Sequence, residues 1–94
     1  MLSNASEGCS DACARVSKGC DPSKQEIINN ADKVNELAGF VGVTCSDALP
    51  GSYQGNPMYY VASGNCYYYT GTGGDCATAD TEEAGQRFCP CISA

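Results

Sequence analysis

Sulfur is the reactive element this sequence offers most of. Eight cysteines occur in 94 residues: Cys9, Cys13, Cys20, Cys45, Cys66, Cys76, Cys89 and Cys91. At this density cysteine serves zinc coordination, thiol redox chemistry or structural cross-linking. Zinc ribbons and thioredoxin-like motifs use C-x-x-C spacing, which no pair here has; the close pairs are C-x-x-x-C (Cys9, Cys13) and C-x-C (Cys89, Cys91). A zinc site of four cysteines stays open as an alternative. A redox role for Cys89-Pro90-Cys91 would want a thiolate favoured by a helix N-terminus or by basic neighbours, and Arg87 is the one cation nearby. An even number of cysteines in so short a chain reads first as a disulfide framework formed in an oxidising compartment.

Tyrosine is the second concentration. Tyr59, Tyr60, Tyr67, Tyr68 and Tyr69 fall within one short stretch. Adjacent residues on a strand point to opposite faces, so part of this set lines the interior and the rest meets solvent or a partner. These five are the candidate binding residues: exposed tyrosine gives amphipathic contact area suited to protein or sugar. The competing reading is cross-strand aromatic pairing that only stabilises a hairpin.

Other motifs carry less. Asp75, Asp80, Glu82 and Glu83 supply oxygens that calcium prefers, but without the EF-hand spacing or its glycine, so a solvated loop is expected. Gly71-Thr72-Gly73-Gly74 lacks the lysine of a phosphate loop and reads as a turn. No serine stands in a G-x-S-x-G setting, and the side chains of Glu82 and Glu83 diverge, which argues against joint acid–base work. There is no histidine, which removes Ser-His and Cys-His dyads and mixed Cys/His zinc sites. No catalytic residue, cofactor or metal is therefore expected.

The chain balances 5 basic against 11 acidic side chains for a formal charge of −6, the wrong sign for a row of phosphates, so nucleic-acid binding is not expected. No run of 18 apolar residues occurs, so membrane insertion is not expected. Asn4-Ala5-Ser6 is an N-glycosylation sequon that fits secretion. The hydrophobic stretch of a signal peptide does not follow Met1, so the expectation is a mature chain with a start methionine or a module of a longer protein; a reduced cytosolic protein is the remaining option.

The elements that must position these residues are short. Residues 6–18 predict a helix with Cys9, Cys13 and Val16 on one face and Gly19 at its end. Ser23-Lys24-Gln25-Glu26 matches a capping box and predicts a helix over about 24–38, with Ile27, Ile28, Ala31, Val34, Leu37 and Ala38 as its apolar stripe and Gly39 as its stop. Residues 40–45 read as a short strand or an extended leg and 46–57 as loop. Strands at 58–62 and 66–70 form a hairpin about Ser63-Gly64-Asn65. Residues 76–86 are irregular, with a helical turn at 81–84. Residues 87–92 close as a strand that Pro90 places at an edge. The expected core is Ile27, Ile28, Val34, Leu37, Phe40, Val41, Val43, Phe88 and Ile92, too few to stabilise the fold by burial alone. The fold class is α+β: one small disulfide-rich domain over 1–94, two N-terminal helices (within 6–39) packed on a short antiparallel sheet (within 40–94).

Sulfur pairing has 105 formal solutions, and geometry narrows them. Residues i and i+4 on a helix lie roughly 6 Å apart, and i and i+2 on a strand roughly 6.6 Å apart on one face. Cys9 and Cys13 therefore match Cys89 and Cys91, in one sense or the other. Cys20–Cys45 and Cys66–Cys76 are then left.

The order of parts also has a likeness. A C-x3-C-x6-C start, a helix ending in Ala-Gly, a further cysteine, an aromatic C-Y-Y segment and an R-F-C-P-C ending span Cys9 to Cys91. This pattern resembles small cysteine-rich extracellular modules of surface and secreted proteins of microalgae and other protists. The resemblance implies an extracellular interaction or assembly role with no catalytic residue. The leading expectation is thus a non-enzymatic module of a cell-surface or filament assembly, packed against protein neighbours. The alternatives are a carbohydrate-binding module with a tyrosine platform and a diffusible signal or inhibitor; a redox enzyme is the most remote.

Overall fold

The computed structural model describes residues 1–79 and 85–93. In chain order the elements are α1 (Cys9–Arg15), β1 (Lys18–Cys20), a 3₁₀ helix (Pro22–Ile27), α2 (Ala31–Val41), β2 (Ala48–Gly51), β3 (Met58–Tyr60), β4 (Asn65–Tyr69), β5 (Gln86–Arg87) and β6 (Cys91–Ser93). The fold is a small α+β one, with helices packed on two sheets. β1 and β6 form an antiparallel pair, and the four-stranded sheet has the order β2-β4-β3-β5. The larger sheet is mixed, because β2 runs parallel to β4 while the other pairs are antiparallel. The expected helical turn at 81–84 lies outside the described residues.

All eight cysteines are in disulfides. Cys9–Cys89 and Cys13–Cys91 close with Cα separations of 5.2 and 5.4 Å, so the helical pair is riveted to the terminal pair as their matched spacing required. The other two pairings differ from expectation: Cys20 bonds Cys76, and Cys45 bonds Cys66. The expected bonds bracketed contiguous elements, whereas tertiary packing sets the observed ones. β1 pairs with β6 beside α1, and Cys76 is brought to the same place because its carbonyl accepts the Ser10 N–H at 2.8 Å. β2 lies along β4 with Ala48 opposite Cys66, which carries Cys45 to that strand.

Two clusters form the interior. Cys9, Ala12, Cys13 and Cys89 are buried together, with Cys20, Cys76, Cys91 and Met1 packed around them. Val34, Ala38, Cys66 and Phe88 form the second, covered by residues that include Ile28, Leu37, Tyr59 and Tyr68. Of the expected core, Val34 and Phe88 are buried, but Ile27, Phe40 and Ile92 are exposed at 54, 83 and 40%.

The helices are shorter than their patterns. α1 stops at Arg15, and Ser17 takes φ 59°, so 18–20 leaves the helix for the strand that pairs with 91–93. The element expected at 24–38 is two. Asp21, not Ser23, caps the 3₁₀ helix, its carboxylate accepting the Ser23 N–H. Asn30 caps α2 by accepting the Lys33 N–H at 2.9 Å. Asn and Asp side chains compete for backbone groups in this way and divide an otherwise continuous helical pattern. Gly39 does not stop α2; Gly42 does, as a left-handed cap. Because α2 reaches Val41, Phe40 lies about 200° around the axis from Ala38 and faces out. β2 forms inside the expected loop, with Pro50 on an edge strand, where its missing N–H is tolerated. Pro90 separates β5 from β6, so the expected closing strand is divided between two sheets.

Digestion without reduction, by trypsin and an Asp-directed protease, should join the Cys45 peptide to the Cys66 peptide and the Cys20 peptide to the Cys76 peptide by mass spectrometry. Replacing Cys45 and Cys66 together by Ala opens the shortest cross-linked loop, of separation 21, and should lower stability in urea by about 3 kcal/mol.

Candidate functional site

Strand alternation divides the tyrosines. Tyr59 opposes Cys66 and Met58 opposes Tyr67 across β3 and β4. Tyr59 and Tyr68 therefore share the α2 face, where both pack on the Val34 cluster. Tyr60, Tyr67 and Tyr69 take the other face. Tyr69 is 1% exposed and its hydroxyl donates to Thr72 O at 3.0 Å, so this candidate binding residue is interior. Tyr60 and Tyr67 meet edge to face, with centroids 5.3 Å apart and planes at 85°. Together with Gly51, Ser52, Tyr53 and Asn56 they line a shallow cleft of about 270 Å³. Of the five candidates, the fold brings two to one open site and adds Tyr53, which sequence reading left in a featureless loop.

The loop carrying Tyr53 is gripped from beneath by two buried polar side chains. Arg87 is 0% exposed and Gln25 is 1% exposed. Arg87 Nε donates to Gly55 O at 2.9 Å, Nη1 to Thr78 O at 2.9 Å and Nη2 to Gln54 O at 3.4 Å. Gln25 Nε2 donates to Gln54 O and Asn56 O, both at 2.9 Å, and Gln25 Oε1 accepts the Asp75 N–H. A buried cation is costly unless its donors are satisfied, and here backbone carbonyls satisfy them. Burial pushes the Arg87 guanidinium down from its ordinary value, while Asp75 and Tyr53 act the other way; an arginine remains charged throughout. The Tyr53 ring packs closely over Gly55, where a Cβ would stand 2.5 Å from it. Gly74 is required by close approach to backbone, a Cβ there standing 2.0 Å from Pro22 O. The Gly71–Gly74 run is therefore a packing turn against the 3₁₀ helix, and the Gly73 N–H donates to Glu26.

Sequence reading missed Arg87 and Gln25. A signal existed for the first: on an extended segment Arg87 shares the face of Cys89, and that face is inward. Asp75 makes a local turn instead of a cation site, accepting from Ala77 N and Thr78 Oγ1, each at 2.8 Å. Asp80, Glu82 and Glu83 lie outside the described residues.

A second, apolar surface opens between the 3₁₀ helix and α2. Ile27, Ile28, Leu37 and Phe40 line a trough of about 290 Å³ rimmed by Lys33 and Glu36. It continues past Ile27 and Leu37 into a cavity of about 210 Å³ walled by Pro57, Phe88 and Pro90.

Arg87→Met should leave the Gly55 and Thr78 carbonyls without a donor, lower stability by about 3 kcal/mol and speed hydrogen exchange at the Asn56 amide, which bonds Tyr53 O. Acid should act on three carboxylates held below their ordinary values: Asp75 by the Thr78 hydroxyl and then the Ala77 amide, Asp21 by Ser23, and Glu7 by Arg15. A depressed folded value stabilises above the unfolded value and is lost as pH falls through the folded one. Carboxylate NMR should place Asp75 below 3.8 and Glu7 below 4.5, with stability level above that range and falling beneath it. No protein-family model matches this chain, and no curated protein matches it significantly.

Proposed function

We propose that this domain is a non-enzymatic, extracellular protein-interaction module that packs against protein neighbours in a cell-surface or filament assembly. The observation that carries this reading is the apolar trough. Phe40 is 83% and Ile27 54% exposed, side by side on a chain of charge −6. Apolar surface with a polar rim is the usual anatomy of a protein contact. The matching partner presents aliphatic or aromatic side chains to fill the trough and opposite charges for Lys33 and Glu36. Four disulfides fit an oxidising, extracellular setting, and among the described residues no helix is long and apolar enough to cross a membrane. The likeness of the cysteine pattern to surface-protein modules of protists points the same way.

In an unreduced native extract the tagged wild-type protein should elute with a high-mass assembly. The double variant Ile27→Asp/Phe40→Asp alters two exposed positions, so it should keep its fold and its disulfides while its association weakens at least tenfold and it elutes as a free monomer. Elution of the wild type itself as a monomer would overturn the reading in favour of a diffusible signal.

A further inference from the structure

The aromatic cleft has the composition of a different kind of site. Its walls are the Tyr60 and Tyr67 rings set at right angles and the Tyr53 ring, which is 45% exposed. Among the described residues no charged side chain lines it. Asn56 is 3% exposed, and its side-chain amide makes no hydrogen bond with the described residues. Because every fully enclosed side-chain nitrogen and oxygen among the described residues has a partner, this amide is aimed into the cleft. A buried side-chain amide with its donors and acceptor unused is costly unless something outside the chain completes it. The loop that presents it is already ordered by Arg87 and Gln25, so a ligand would meet little entropic penalty.

We infer that this cleft binds a neutral saccharide, one pyranose ring stacked on the tyrosines with its hydroxyls bonded to the Asn56 amide. Sugars have weakly apolar faces that rest on aromatic rings and a perimeter of hydroxyls that both donate and accept. A side-chain amide answers both roles at once. The size agrees: about 270 Å³ lies just under the ~300–1,000 Å³ of sites for larger organic ligands and suits one ring. Neutral sugars are favoured over acidic ones, because the chain carries −6 and none of the described residues lining the cleft is a cation. A proline-rich peptide also docks on tyrosines, but it needs an extended aromatic-lined groove, whereas here a single compact cleft surrounds one amide. The site is separate from the trough and does not rest on the protein-interaction reading.

The test is a ¹H–¹⁵N NMR titration of the whole chain with methyl glucosides and galactosides and N-acetylglucosamine oligomers. Sialyllactose and a proline-rich peptide serve as competitor classes. At least one neutral sugar should shift the amides of 51–56, Tyr60 and Tyr67 and leave those of α2 in place. Tyr53→Ala, at a half-exposed position, and Asn56→Ala should each weaken binding about tenfold, whereas Phe40→Asp should not change it. Should Asn56→Ala disturb the fold, Tyr53→Ala decides alone. The inference is overturned if no neutral sugar shifts these amides at millimolar concentration, if Tyr53→Ala binds as the wild type does, or if only the acidic sugar or the peptide engages the cleft.

Discussion

Everything in this fold depends on the attachment of one short segment, residues 87–91. Three consecutive side chains anchor three regions. Arg87 runs beneath the tyrosine loop and holds its carbonyls. Phe88 enters the α2 cluster. Cys89 enters the sulfur cluster, and Cys91 follows it there. The two disulfides to α1 fix the segment at both ends of a two-residue step, so it can neither slide in register nor rotate. The chain's first residues pair with it as well, Ser3 N–H donating to Arg87 O and Cys89 N–H to Met1 O. Two small interiors, neither large enough to stabilise a domain by burial alone, become one body because this segment belongs to both.

That dependence explains which features were legible in the sequence. The matched spacing of Cys9/Cys13 and Cys89/Cys91 is a local geometric fact, and local geometry is what periodicity reports. The hairpin of β3 and β4 was legible for the same reason, as was the division of its tyrosines between two faces. The pairings Cys20–Cys76 and Cys45–Cys66 were not. They follow from β1 meeting β6 and from β2 lying parallel to β4, contacts between distant segments with no signature in either strand. β2 itself is four residues, Ala48-Leu49-Pro50-Gly51, whose composition reads as loop; only the neighbouring strand makes it a strand.

The same contrast runs through the candidate sites. Tyr60 and Tyr67 were named because tyrosines on strands are conspicuous. Tyr53 and Asn56 were passed over because a loop's conformation depends on what grips it, and the grip comes from Gln25 and Arg87, about 30 residues away on either side. The trough was obscured by a boundary. A helix of 24–38 would have turned Ile27 inward along its stripe and left Phe40 to the segment after it, but Asn30 starts α2 after Ile27 and Gly42 ends it after Phe40, and both side chains are exposed.

Cross-linking also accounts for why such residues are tolerated outside. In a domain held by hydrophobic burial, a phenylalanine and an isoleucine left in solvent weaken an already marginal balance. Here much of the unfolded chain's freedom is removed covalently, so surface composition is released from the demands of folding. The domain then presents two unlike surfaces, one apolar between the 3₁₀ helix and α2 and one aromatic and polar around Asn56. Both are held rigidly, because the disulfides clamp the body and Arg87 clamps the loop. On the proposed readings, one ordered body carrying both surfaces suits a component that joins two neighbours, and a mobile chain of the same composition would lose that use to the entropy of ordering both.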